Sequence, residues 1–105
     1  MNWLFLITAG LFEIGWPIGI KIAQVPGSRL VGLVIAGFCI SLSGLFMWLS
    51  QRTIPMGTAY AVWTGIGAAG TFLVGVMIYG DPSSLGRYLG VLLIVSGVAV
   101  LKLSS

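Results

Sequence analysis

Glu13 is the residue in this chain best placed to do chemistry. It is the only ionisable group deep in a long apolar run, Trp3 to Ala23, about eleven residues in and therefore roughly 16 Å from its start at 1.5 Å per residue. A carboxylate removed from water persists at least cost either protonated or beside a cation. Proton and cation then compete for one group, and that competition is a mechanism for antiport. No basic residue sits at mid-span elsewhere to make Glu13 half of a structural ion pair. Lys21 is eight residues further on, about 12 Å along the same helix, where its stem can carry the ammonium to the membrane surface.

The types and spacing around Glu13 extend the site. Ala9, Gly10, Trp16, Pro17 and Ile20 fall on or near its face at intervals of three, four and seven. Trp16 offers an indole face to a cation and an N–H to the carboxylate. Pro17 has no N–H, so the Glu13 carbonyl loses its helical partner and a kink is favoured. Tyr60 and Trp63, three apart, share a face ahead of Gly67. The alternative for these aromatics is packing or an interfacial belt. Ser41 and Ser43 either bond back to their own helix or turn into a polar lumen. Taken with Glu13, these residues describe a polar, aromatic cage for a small cation.

Such a cage needs elements that hold it in lipid, and the composition requires them. Of 105 residues, 58% are hydrophobic and 7% charged, against about 25% charged in a soluble domain. Four runs approach the ~20 residues that cross a bilayer, at about 3–23, 30–49, 58–79 and 85–103. The breaks carry turn chemistry at Pro26-Gly27-Ser28, Pro55-Met56-Gly57 and Gly80-Asp81-Pro82-Ser83-Ser84, with Ser83 or Ser84 able to cap the last helix. The expected fold is therefore an all-α membrane protein, one four-helix transmembrane domain over 1–105. The first run is read as a span and not as a cleaved signal, since Met1-Asn2-Trp3 is uncharged and a carboxylate sits mid-segment. A transmembrane β-barrel would alternate polar and apolar positions, and these runs are continuously apolar.

The same composition excludes much. With no His and a single Cys39, there is no intrachain disulfide, Cys/His zinc site or His-based triad. No enzyme activity, metal or cofactor is expected. The net charge of +3 rests on five basic residues, too scattered for a nucleic-acid surface. Placing the N-terminus in the cytoplasm puts Arg52 and Lys102 inside and Lys21, Arg29 and Arg87 outside. So small a bias under the positive-inside rule permits insertion in either orientation.

Two glycine patterns remain. Gly65-Ile66-Gly67-Ala68-Ala69-Gly70 matches G-x-G-x-x-G, but it lies within an apolar span instead of a βαβ unit. Its small residues are expected to allow close helix contact and a bend at Gly65 and Gly67. Gly86 and Gly90 form G-x-x-x-G, and Gly90 and Gly97 share a stripe with Ser96, an expected helix-association face. Four short helices and one carboxylate do not enclose a pathway, so the expected working form is an oligomer. If both orientations insert, two copies pair antiparallel with the inverted symmetry used for alternating access.

On these residues the chain resembles the small multidrug resistance transporters along essentially all of its length. The resemblance is carried by the early Glu13, by Pro55-Met56-Gly57-Thr58-Ala59-Tyr60-Ala61-Val62-Trp63-Thr64-Gly65-Ile66-Gly67, and by Gly90-Val91-Leu92-Leu93-Ile94-Val95-Ser96-Gly97-Val98. Phe12-Glu13-Ile14-Gly15-Trp16, Lys21, Ser43 and Thr64 are similar to the guanidinium-exporter branch. The resemblance implies an antiparallel, dual-topology homodimer in the bacterial inner membrane that exchanges protons for a guanidinium-like cation. Glu13 would be the proton and substrate site, with Trp16, Ser43, Tyr60 and Trp63 binding or supporting and Gly90 and Gly97 at the dimer interface. Pro17, Gly44, Phe46 and a first loop (Gln24 to Arg29) one residue longer depart from the family's pattern.

Three functions stay open on the sequence. The first is proton-coupled export of guanidinium or small substituted guanidines such as guanylurea, whose planar donor fork suits a carboxylate. The second is polyselective export of lipophilic quaternary ammonium compounds, for which an aromatic pocket suffices. The third is a non-transporting membrane subunit, in which Glu13 has no role.

Overall fold

The computed structural model describes residues 2–104. Four helices follow one another, α1 (Asn2–Ala23), α2 (Arg29–Ser50), α3 (Met56–Ile78) and α4 (Leu85–Leu103), each long and apolar enough to cross a membrane. Local chemistry sets their ends. After α1 the chain turns through Pro26 and Gly27, whose φ of +86° suits glycine. α3 starts at Met56, two residues before the expected Thr58, because Pro55 occupies the N-cap and its carbonyl accepts from the Ala59 N–H at 2.9 Å. Gly80, at φ +66°, closes α3. Ser84 caps α4, its hydroxyl accepting from the Arg87 N–H at 3.3 Å.

α1 lies between α2 and α3, and α4 runs alongside α3. The α1–α2 seam is made of small residues. A Cβ on Gly19 would stand 2.6 Å from the Ala36 nitrogen, and one on Gly32 would overlap the backbone of Ala23. Cys39 Sγ fills the place of a Cβ on Gly15. With no hydrophobic drive between helices in lipid, such backbone-to-backbone packing is what holds them together. At the opposite end of the seam Phe46 stacks on Phe5 and Phe12, with ring centroids 6.0 Å apart in each pair. Beneath these rings Leu6, Ala9, Met47, Ile54, Ala59 and Val62 form the buried core.

α1 is helical throughout despite Pro17, and α3 is helical throughout across Gly65 and Gly67. These two glycines serve close approach. A Cβ on Gly65 would lie 2.6 Å from Val98 of α4, and one on Gly67 would lie 2.6 Å from Glu13 Cγ. α4 contains no buried residue, and its Gly90 and Gly97 face open space. Three cations near the helix ends lie over aromatic rings: Arg52 on Trp48, Lys102 on Trp3 and Lys21 on Tyr79.

Candidate functional site

α1 supplies Glu13 and Trp16, α2 supplies Ser43, and α3 supplies Tyr60, Trp63 and Gly67. The tight α1–α2 seam brings Ser43 against α1, where it is wholly buried. Ser41, two positions earlier, is exposed and donates back to the Gly37 carbonyl of its own helix at 2.7 Å. Of the two fates open to these serines, each takes one.

Ser43 is the centre of the polar chain. Its Oγ accepts from the Trp63 indole N–H at 2.8 Å and donates to the Ala9 carbonyl at 2.8 Å. Glu13 Oε1 lies 3.4 Å from the same oxygen. A hydroxyl has one proton and two acceptor sites, so Ser43 can serve both forms of the carboxyl. It can swing its proton from Ala9 to an ionised Glu13, or keep Ala9 and accept from a protonated Glu13. Trp63 holds the oxygen in place in either case.

The stem of Glu13 packs on Gly67, which has no side chain to obstruct it. Between α1 and α3 lies a cavity of about 240 Å³ lined by Glu13, Trp16, Pro17, Thr64, Gly67 and Thr71. Trp16 borders it with a buried indole N–H that meets no acceptor among the described residues. The expectation that Trp16 donates to Glu13 is therefore not met. Glu13 makes its hydrogen bond across the seam to α2, while Trp16 lines the α1–α3 cavity. Tyr60 is 58% exposed and stands beside Trp63 with ring centroids 5.5 Å apart. No hydrogen bond joins it to Glu13 among the described residues. Tyr60 thus does not close a cage on Glu13 within a single chain.

Glu13, Ser43 and Trp63 form one connected unit, Trp16 borders the cavity, and Tyr60 reaches the unit through Trp63. Sequence reasoning placed Ala9 on the Glu13 face but missed its backbone carbonyl, a group every residue carries, as the acceptor of the Ser43 hydroxyl. It also missed Thr71 as a lining residue. Thr64, Gly67 and Thr71 recur at intervals of three and four, a helical spacing that marks one face of α3.

The chain is similar to known proteins over most or all of its length. The family model described as Small Multidrug Resistance protein matches residues 1–94. A protein named guanidinium exporter from Yersinia pseudotuberculosis is 42% identical over 105 residues, covering all of both chains. Proteins of the same name from Salmonella typhimurium strain LT2 and from Citrobacter freundii are 40% and 42% identical, covering all of this chain and 99% of theirs. Four apolar helices and a full-length match of this kind make the chain a multi-pass membrane protein of the small multidrug resistance family, a family of transporters.

Proposed function

We propose that this chain is a proton-coupled antiporter that exports guanidinium or small substituted guanidinium cations across the bacterial inner membrane. The observation that carries the reading is the Trp63–Ser43–Glu13 chain beside the α1–α3 cavity. A carboxylate offers about four lone-pair sites, and Ser43 engages only one of the Glu13 oxygens. A planar guanidinium brings N–H donors in a fork that matches those remaining sites. A proton on the same oxygens removes the charge that holds the cation. One carboxyl group thus carries either cargo, and exchange across the membrane follows. The names of the relatives support the choice of guanidinium.

The working unit in this reading is an antiparallel homodimer of dual topology. Two features support it: Tyr60 does not close on Glu13, and α4 presents Gly90 and Gly97 with no neighbour. A second copy would close the first and pack on the second. Gly65 and Gly67, small and central in α3, are where that helix would bend as access alternates.

The half-exposed Tyr60 ring favours a second reading, export of lipophilic quaternary ammonium cations that bind aromatic faces. Currents from purified protein in proteoliposomes on a supported membrane separate the two. Guanidinium and guanylurea should give current and tetrapropylammonium none, with all current lost in Glu13→Gln. The reverse preference would establish the quaternary ammonium reading. Silence for every cation from folded protein would make the chain a non-transporting subunit.

A further inference from the structure

Pro17 stands one helical turn after Glu13 on α1, and both residues line the cavity of about 240 Å³ between α1 and α3. In a helix the carbonyl of each residue accepts from the N–H four residues on. Proline has no N–H to give. Because α1 stays helical through Pro17, the Glu13 main-chain carbonyl lies on the face shared by the two residues and meets the proline ring instead of its usual donor. Within a membrane such a carbonyl is tolerated where protein or a polar cavity meets it, and here the cavity does.

No side chain nearby replaces the missing donor. The Trp16 indole N–H has no acceptor among the described residues, and the Ser43 hydroxyl donates to Ala9. The hydroxyls of Thr64 and Thr71, on the α3 side of the cavity, make no hydrogen bond among the described residues. One residue therefore offers the cavity two acceptors of different kinds: a carboxylate that a proton can neutralise, and a carbonyl that it cannot. A guanidinium that sets one edge on the carboxylate still has N–H donors on its other edges. A quaternary ammonium has no N–H and can use only the charge.

We infer that the Glu13 main-chain carbonyl, left free by Pro17, is a second hydrogen-bond acceptor for the substrate, and that Pro17 is the positioning residue that presents it. The class of cation it selects is one that carries N–H donors. The inference rests on the exporter reading for the identity of that cation, guanidinium.

Glu13 is the only glutamate in the chain, so glutamate labelled with carbon-13 at its backbone carbonyl reports on this one group. In bilayers the NMR shift of the label should move saturably with guanidinium and stay in place with tetramethylammonium. Pro17→Ala restores the N–H, and alanine is favoured over proline within a helix, so the variant folds. It should bind guanidinium about threefold or more weakly, read by tryptophan fluorescence, and its label should start at the position of a bonded carbonyl and hardly move. An ester analogue with lactate at position 17 has the side chain of alanine and no N–H, and should bind guanidinium as the wild type does. A wild-type label unmoved at saturating guanidinium overturns the second acceptor, as does a label that moves equally with tetramethylammonium. Pro17→Ala that binds like the wild type overturns it too, and so does an ester analogue as weak as Pro17→Ala, which would make the proline ring the cause. Label shifts without any transport current would keep the second acceptor and remove the exporter reading; guanidinium current with an unmoved label would do the opposite.

Discussion

The Trp63 indole N–H donates to Ser43 Oγ at 2.8 Å, and this one bond ties α3 to the α1–α2 pair at the oxygen that faces Glu13. Removing the hydroxyl should therefore disturb more than its own contact. Ser43→Ala leaves the Trp63 N–H without its acceptor, at a cost of about 1–3 kcal/mol for an unsatisfied buried donor. It also deprives Glu13 of its hydrogen bond. Loss of that second contact, a hydrogen bond to a charged group worth about 1.5–3 kcal/mol, should lower the apparent affinity for guanidinium about tenfold or more, as read from the concentration dependence of transport current.

Gly67 and Gly97 should respond to alanine in different ways. A methyl at 67 stands 2.6 Å from Glu13 Cγ, whereas a methyl at 97 meets nothing in its own chain. Gly67→Ala should displace the carboxylate and reduce transport strongly while the dimer persists. Gly97→Ala, like Gly90→Ala, should leave the monomer's helices intact and weaken self-association, measured by subunit exchange between differently labelled copies in bilayers.

The α1–α2 seam sets the stability of the pair. Gly32→Ala places a Cβ into the Ala23 backbone, which cannot yield as a flexible side chain would. Overpacking of this kind costs about 1–3 kcal/mol. The variant should unfold at lower denaturant in detergent, and Gly44→Ala, in open space, should not.

The proposed competition between proton and cation at Glu13 gives a definite sign with pH. Protons occupy the carboxyl as pH falls, so guanidinium binding should weaken, and binding at constant pH should release protons. Calorimetry in buffers of different ionisation enthalpy measures that release. Glu13→Gln should show neither the pH dependence nor the proton release.

Dual insertion is read on the loop between α1 and α2. In a Cys39→Ala background, Val25→Cys, which is exposed, should react with membrane-impermeant reagent from both sides of the membrane in comparable amounts. Labelling from one side only would establish a fixed orientation and remove the antiparallel homodimer.

The number of helices and the residue at the heart of the proposed site were legible in the sequence because both depend on local chemistry. Apolar runs interrupted by proline, glycine and serine become membrane helices wherever they occur, and a lone acid within one of them is conspicuous by type and depth. The neighbours of Glu13 were not legible to the same degree. Ser41 and Ser43 have the same side chain two residues apart, and only the rotation of α2 imposed by the Gly19–Gly32 contact turns Ser43 inward. Trp16 and Trp63 carry the same N–H donor, and only the helix arrangement sends the Trp63 donor to Ser43 and leaves the Trp16 donor at the cavity. The roles of Gly65 and Gly67 as seats for Val98 and Glu13 depend on which helix lies opposite. The sequence by itself determined which segments enter the membrane and where a charge is held there. The tertiary structure decided which donors meet that charge, because hydrogen bonding needs contact within about 3 Å, and such contacts between helices are set by how closely their backbones can approach.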